Sequence, residues 1–119
     1  MKLQFLNPDT KKVEFEFEGE NAKELYWNII EKQADNEELG EPINNLIEYA
    51  IQENGRTNPE LTNNKHVTAI LALCDNADEE DNTDYIDDEI RYLASDSLKT
   101  LELIFNKLED NYYTIKFIK

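Results

Sequence analysis

The sequence predicts an α+β domain in which a small three-stranded sheet packs against three to four helices. The sheet combines an N-terminal β-hairpin with a C-terminal strand. Three observations carry this prediction. Apolar and acidic residues alternate strictly over residues 13–18. Apolar stripes of helical spacing fill most of the middle. An aromatic and β-branched run closes the chain.

The hairpin comes first. Leu3-Gln4-Phe5-Leu6 reads as a short strand. In Asn7-Pro8-Asp9-Thr10, the Asn at the first position and the Pro at the second preset a type I turn. Lys11-Lys12 leads into the second strand. There Val13, Phe15 and Phe17 fall on one face and Glu14, Glu16 and Glu18 on the other. One face is expected to be buried and the other wet and negative.

Gly19-Glu20-Asn21 ends that strand. Asn21 is placed to cap a helix over residues 22–35, with Glu24 three residues on as in a capping box. Ala22, Leu25, Tyr26, Ile29, Ile30 and Gln33 form its stripe, with Trp27 beside it. Residues 36–40 read as a break. Pro42 suits the first turn of the next helix. Ile43, Leu46, Ile47, Ala50 and Ile51 follow in the cleanest stripe of the chain, which stops at Asn54-Gly55.

Residues 56–64 read as a loop. Residues 66–77 read as a helix that is apolar nearly all round, and therefore as the most buried one. A buried strand over Val67–Cys74 is the alternative, because short apolar runs fit both periods. After an acidic loop over residues 75–84, Thr83 or Asp84 can cap a long helix running from Tyr85 to Glu109. Ser95-Asp96-Ser97 is placed to bend or split it. Residues 112–119 form the last strand, and the hairpin is its partner. No internal repeat is seen.

Length and charge bound the function. At 119 residues the chain fits one domain with a core of its own. Twenty-seven acidic residues face twelve basic ones, for a net charge of −15. Residues 1–60 hold fourteen acids and six bases, and the remainder holds thirteen and six, so the acidity is not a tail. Such a field repels phosphate and anionic lipid. It disfavours direct nucleic-acid binding and membrane binding, and it favours basic partners. The longest apolar run falls far short of a membrane span, and the first residues do not read as a signal peptide, so a cytoplasmic protein is expected.

Catalytic signatures are lacking. The three glycines form no phosphate-cradling motif, and carboxylate pairs are uninformative in so acidic a chain. Cys74 is the only cysteine and lies in an apolar run, where a buried, inert thiol is expected. His66 is the only histidine and reads as a surface residue. It lacks the companions a zinc site needs, and it stands two helical turns from Cys74. No cofactor or metal is expected.

The densest feature is Asp75–Glu89, nine of whose fifteen residues are acidic. A calcium-loop register puts Asp78, Glu80, Asn82 and Glu89 at ligand positions, but Thr83 stands where the turn needs glycine. Calcium binding is thus a minor alternative to a solvated helix-capping loop or a recognition surface. In the recognition reading, Asp78, Glu79, Glu80, Asp81, Asp84, Asp87 and Asp88 supply charge, and Tyr85 supplies an aromatic anchor, with Tyr92 further along. Glu14, Glu16 and Glu18 are a second negative row, at a spacing of roughly 7 Å that resembles successive phosphates. The function expected is a non-catalytic inhibitor, of the phage anti-defence or toxin-immunity type. It would bind the basic surface of a nuclease, toxin or defence effector, as a monomer or homodimer. The alternative is a structural or adaptor subunit whose acidity only keeps it in solution.

Overall fold

The computed structural model describes residues 1–35, 43–76 and 82–119. The expected break over residues 36–40, Pro42, Ala77 and the acidic residues Asp78, Glu79, Glu80 and Asp81 lie outside the described residues. Strand β1 (Lys2–Leu6) pairs antiparallel with β2 (Val13–Glu18) and, on its other side, with β3 (Thr114–Ile118). The order β2-β1-β3 places the first strand in the centre, so the two ends of the chain share one sheet as predicted.

The hairpin turn differs from the simple type I expectation. The Asn7 side-chain oxygen accepts from the backbone N–H groups of Asp9 (2.9 Å) and Thr10 (3.1 Å). Lys11 then takes a φ of 63°, the left-handed region that glycine or asparagine fills more readily. The pairing register shifts between Phe5 and Leu6, which brings Leu6 opposite Val13. Leu3, Phe5 and Phe17 point inward and are buried. Burial fades toward the turn, through a half-covered Phe15 to a Val13 that is 46% exposed.

Gly19 lets the chain leave β2 tightly. A Cβ there would stand 2.4 Å from the backbone nitrogen of Leu25. Asn21 caps α1 (Ala22–Asp35) as predicted, accepting from the Glu24 N–H at 2.9 Å. Ala22, Leu25, Tyr26 and Ile29 are buried. Trp27 is half-buried, edge-on to Tyr26 and packed against the core.

Helix α2 (Ile43–Asn54) sinks its whole predicted stripe: Ile43, Leu46, Ile47, Ala50 and Ile51. The predicted loop that follows contains a short helix, α3 (Pro59–Thr62), capped by Asn58. Residues Lys65–Asp75 are helical (α4), which settles the strand alternative. This helix is not the most buried, however. Only His66, Val67 and Ile70 are fully covered, while Leu71, Leu73 and Cys74 are half-covered. The reason is position: α4 packs mainly on α2, α3 and the helix α5 (Asn82–Asp96), at the outside of the helical layer. Burial pushes the Cys74 thiol up from its ordinary value, and its Sγ lies 3.6 Å from a Glu48 oxygen, so thiolate is scarce.

The predicted long last helix is two helices. The split falls within the suspected triplet, where Ser97 leaves helical geometry between α5 and α6 (Leu98–Phe105). Asn64 explains why. Its side-chain oxygen caps α4 by accepting from His66 and Val67 N–H (2.9 and 3.2 Å), while its amide donates to the Ser97 and Thr100 hydroxyls (2.9 and 3.3 Å). One side chain thus starts one helix and fixes the break between two others. Asn64→Ala is expected to cost ~1–2 kcal/mol, at the upper end for a lost cap, in urea unfolding. Asn58→Ala, which removes a cap with no second role, should cost less.

The helix α6 ends at Phe105, short of the expected Glu109. A connector over residues 106–113 follows, within which Leu108 is still buried. Tyr113 then packs edge-on against Phe5 and Phe15. The core lies between the inner sheet face and the helices, with Leu101, Ile104 and Phe105 from α6 meeting α1.

Candidate interaction surface

Helix α5 carries most of the predicted recognition residues that the structure describes. It begins at Asn82, so Thr83 and Asp84 lie inside its first turn rather than ahead of it. Asp84 still suits the positive end of the helix. Ile86, Ile90, Leu93 and Ala94 are buried and fix the helix's inner side. At about 100° per residue, the other positions then fall on distinct flanks.

One flank holds Tyr85, Glu89, Tyr92 and Asp96. Both tyrosines are large and open, 64% and 55% exposed, and they stand two turns apart. Behind Tyr92 sits His66, and here the sequence reading is corrected: the histidine is not a surface residue but 7% exposed. Its Nδ1 lies 3.0 Å from Glu89 Oε2 and its Nε2 lies 3.3 Å from Asp96 Oδ2. The ring tilts against Tyr92, with centroids 6.3 Å apart. The Asn64 cap sets the first turn of α4 so that residue 66 turns toward α5. The ring stands between two carboxylates of α5, one beside each nitrogen, and ties α4 to this flank.

The opposite flank holds Asp87, which differs from its predicted neighbours. Its Oδ1 accepts from the amide of buried Asn44 at 3.2 Å. Asn44 Oδ1 in turn accepts from the Tyr26 hydroxyl at 2.8 Å. This chain joins α1, α2 and α5 through the core. Asp87 is therefore engaged with the fold. Asp84 and Asp88 face outward, and Asp88 pairs with Arg91 at 3.2 Å.

Burial pushes the Tyr26 phenol up to about 12, with the charge of Asp87 adding to the rise and Arg91 and the Asn44 contact opposing it. The native state keeps this proton where the unfolded chain, at the ordinary 10.0, has lost it. Stability contributed by the neutral phenol is present below that ordinary value and is lost as pH rises toward about 12. Tyr26→Phe is expected to remove this alkaline loss. The check is urea unfolding measured across that pH window.

The second predicted row, Glu14, Glu16 and Glu18, lies on the sheet face turned away from the core. It is partly satisfied internally. Gln4 donates to Glu16 at 2.6 Å, Asn7 to Glu14 at 3.2 Å, and Lys2 reaches Glu16 and Glu18 at 3.7 and 3.2 Å. The hydrogen bond from Gln4 holds the Glu16 carboxyl below its usual value, and Lys2 assists. Lys116 of the terminal strand could neutralise this row only from an adjacent strand, but it stands on β3 with β1 between it and the row. Lys2 takes that part, and central placement of β1 is what sequence reading missed.

Among the described residues no cluster of three or more His, Cys, Asp or Glu is placed to hold a metal ion. Asn82 and Glu89, assigned to a calcium-loop register, belong to a continuous helix, and Glu89 is engaged with His66. No helix among the described residues is long and apolar enough to cross a membrane. The chain matches no protein-family model, no curated protein and no solved structure.

Proposed function

We propose that this chain is a non-catalytic inhibitor that binds the basic surface of a nucleic-acid-handling or defence protein through the outer side of α5. The observation that carries this reading is the pair of exposed tyrosines, Tyr85 and Tyr92, set two turns apart among Asp84, Asp88, Glu89 and Asp96. Rigid aromatic anchors ringed by charge are how hot spots are built. The net charge of −15 steers a basic partner toward the chain and discourages phosphate from competing. His66 supports the reading further, since it braces Glu89, Asp96 and Tyr92 in advance of binding and lowers the entropy lost there.

The test is affinity capture from a bacterial lysate at low and at moderate salt. Retention of one basic nuclease, toxin or defence effector, weakened as salt rises, is the expected result. Retention of nothing but the chain itself overturns the reading in favour of a self-associating adaptor, which light scattering then measures.

A further inference from the structure

A second feature lies beneath the α5 flank, at its joint with α4. His66 is 7% exposed, and its ring is set between two carboxylates. Nδ1 stands 3.0 Å from Glu89 Oε2, and Nε2 stands 3.3 Å from Asp96 Oδ2. The two carboxylates are not equivalent. The Glu89 side chain is 29% exposed and the Asp96 side chain 58%. Asp96 is also the last residue of α5, and Ser97 beyond it is held by the Asn64 amide. The ring therefore meets α5 where that helix gives way to α6.

A neutral imidazole has one N–H and one bare nitrogen, whereas an imidazolium has two N–H groups. A carboxylate beside each nitrogen calls for two donors. With a single N–H the ring serves one carboxylate, and its bare nitrogen then faces the lone pairs of the other. Among the described residues, Glu89 and Asp96 are the ring's ion-pair partners. Tyr92 lies against the ring, and Lys65 beside it in the chain is exposed. The other helices packed on α4 turn their acids elsewhere. Glu48 of α2 faces Cys74 near the far end of α4, and Glu60 of α3 is exposed.

We infer that His66 is a proton-dependent latch between α4 and the end of α5. Charged, the ring donates to both Glu89 and Asp96. Neutral, it keeps the shorter and more covered contact with Glu89 and releases Asp96. Histidine changes charge between about pH 5 and pH 8. The latched form is the one that holds the extra proton. The stability it adds is therefore present at the acid end of that range and lost as pH rises through it. Release loosens the last turn of α5, directly after Tyr92. The latch does not rest on the proposed function, and it is read without a partner, so the failure of either is distinguishable from the failure of the other.

The experiment uses NMR of the intact chain at about pH 5.5 and about pH 8. Ring nitrogen signals are unambiguous, because His66 is the only histidine. Two protonated ring nitrogens are expected at the lower pH, and Nδ1 alone at the higher. Amide hydrogen exchange over residues 94–97 is measured in parallel and corrected for its intrinsic pH dependence. Protection there should fall about tenfold at the higher pH, in line with one hydrogen bond to a charged group. Asp96→Asn, at an exposed side chain, gives the bare nitrogen an N–H, so protection should hold at both pH values. His66→Gln does not titrate and should show no step. A ring with the same proton count at both pH values overturns the inference. So does protection that ignores a change in the ring, or a step that survives in Asp96→Asn.

Discussion

Replacing Tyr85 and Tyr92 together with alanine is expected to weaken binding of the basic partner by about a thousandfold. Each buried interface tyrosine is a hot spot worth ~2 kcal/mol or more, or about thirtyfold, and two such losses multiply. Neither ring supports the core, so the melting temperature should hardly move; both side chains are more than half exposed. The carboxylates are expected to behave differently. Asp84→Lys and Asp88→Lys change outward charges, so they should slow association and flatten its salt dependence more than they hasten dissociation. Asp87 is unsuited to such a test, because its reversal breaks the contact with buried Asn44 and confuses folding with binding. Calorimetry or surface-plasmon kinetics on each variant, beside its thermal unfolding curve, checks the whole pattern. Glu14→Gln, Glu16→Gln and Glu18→Gln serve as the contrast. That row already spends part of its charge on Lys2, so neutralising it should cost far less binding than the tyrosine pair.

The largest stability effect is expected at Phe17. It is 1% exposed and edge-on to Phe5 at 5.9 Å, with the Lys32 ammonium 5.3 Å from its ring centre. Phe17→Ala should cost ~3–5 kcal/mol, the range for a buried aromatic whose site cannot collapse. In a chain of this size that is a large part of the total stability. Val13, beyond the register shift and opposite Leu6, is 46% exposed, and Val13→Ala should cost under ~1 kcal/mol. Urea unfolding of the two variants measures this gradient directly. Equal losses would mean that the sheet is covered as evenly as the alternation in the sequence implies.

That contrast also shows how far the sequence could be read. Period-two alternation put Phe15 and Phe17 on one face of β2, but it foresaw neither the register shift that sets Val13 opposite Leu6 nor how much of that face the helices reach. The terminal strand was legible because an isolated aromatic and β-branched run must find a sheet. The hairpin's ability to pair on its β1 side was less legible, and it decides that Lys2 meets the glutamate row and Lys116 does not. Helices were read from their apolar stripes, and α2 buried its stripe in full. The helix α4 did not, because apolar composition reports what can be buried and position decides what is. Polar side chains were the weakest point. Asn64, His66, Asn44 and Asp87 act through distant partners 18 to 43 residues away, as with Asn44 to Tyr26 and Asn44 to Asp87. No local pattern encodes such pairings. Hence a histidine expected at the surface braces the candidate site, and an aspartate expected in the site holds the core.

On the proposed reading, α5 competes with nucleic acid for a basic surface. The most direct measurement is fluorescence anisotropy of a labelled duplex bound to the captured partner, titrated with this chain and with the Tyr85, Tyr92 double variant. The wild-type chain is expected to displace the duplex fully at stoichiometric amounts, whereas the variant should need a far larger excess. A ternary complex, in which the duplex stays bound while the chain associates, would contradict it.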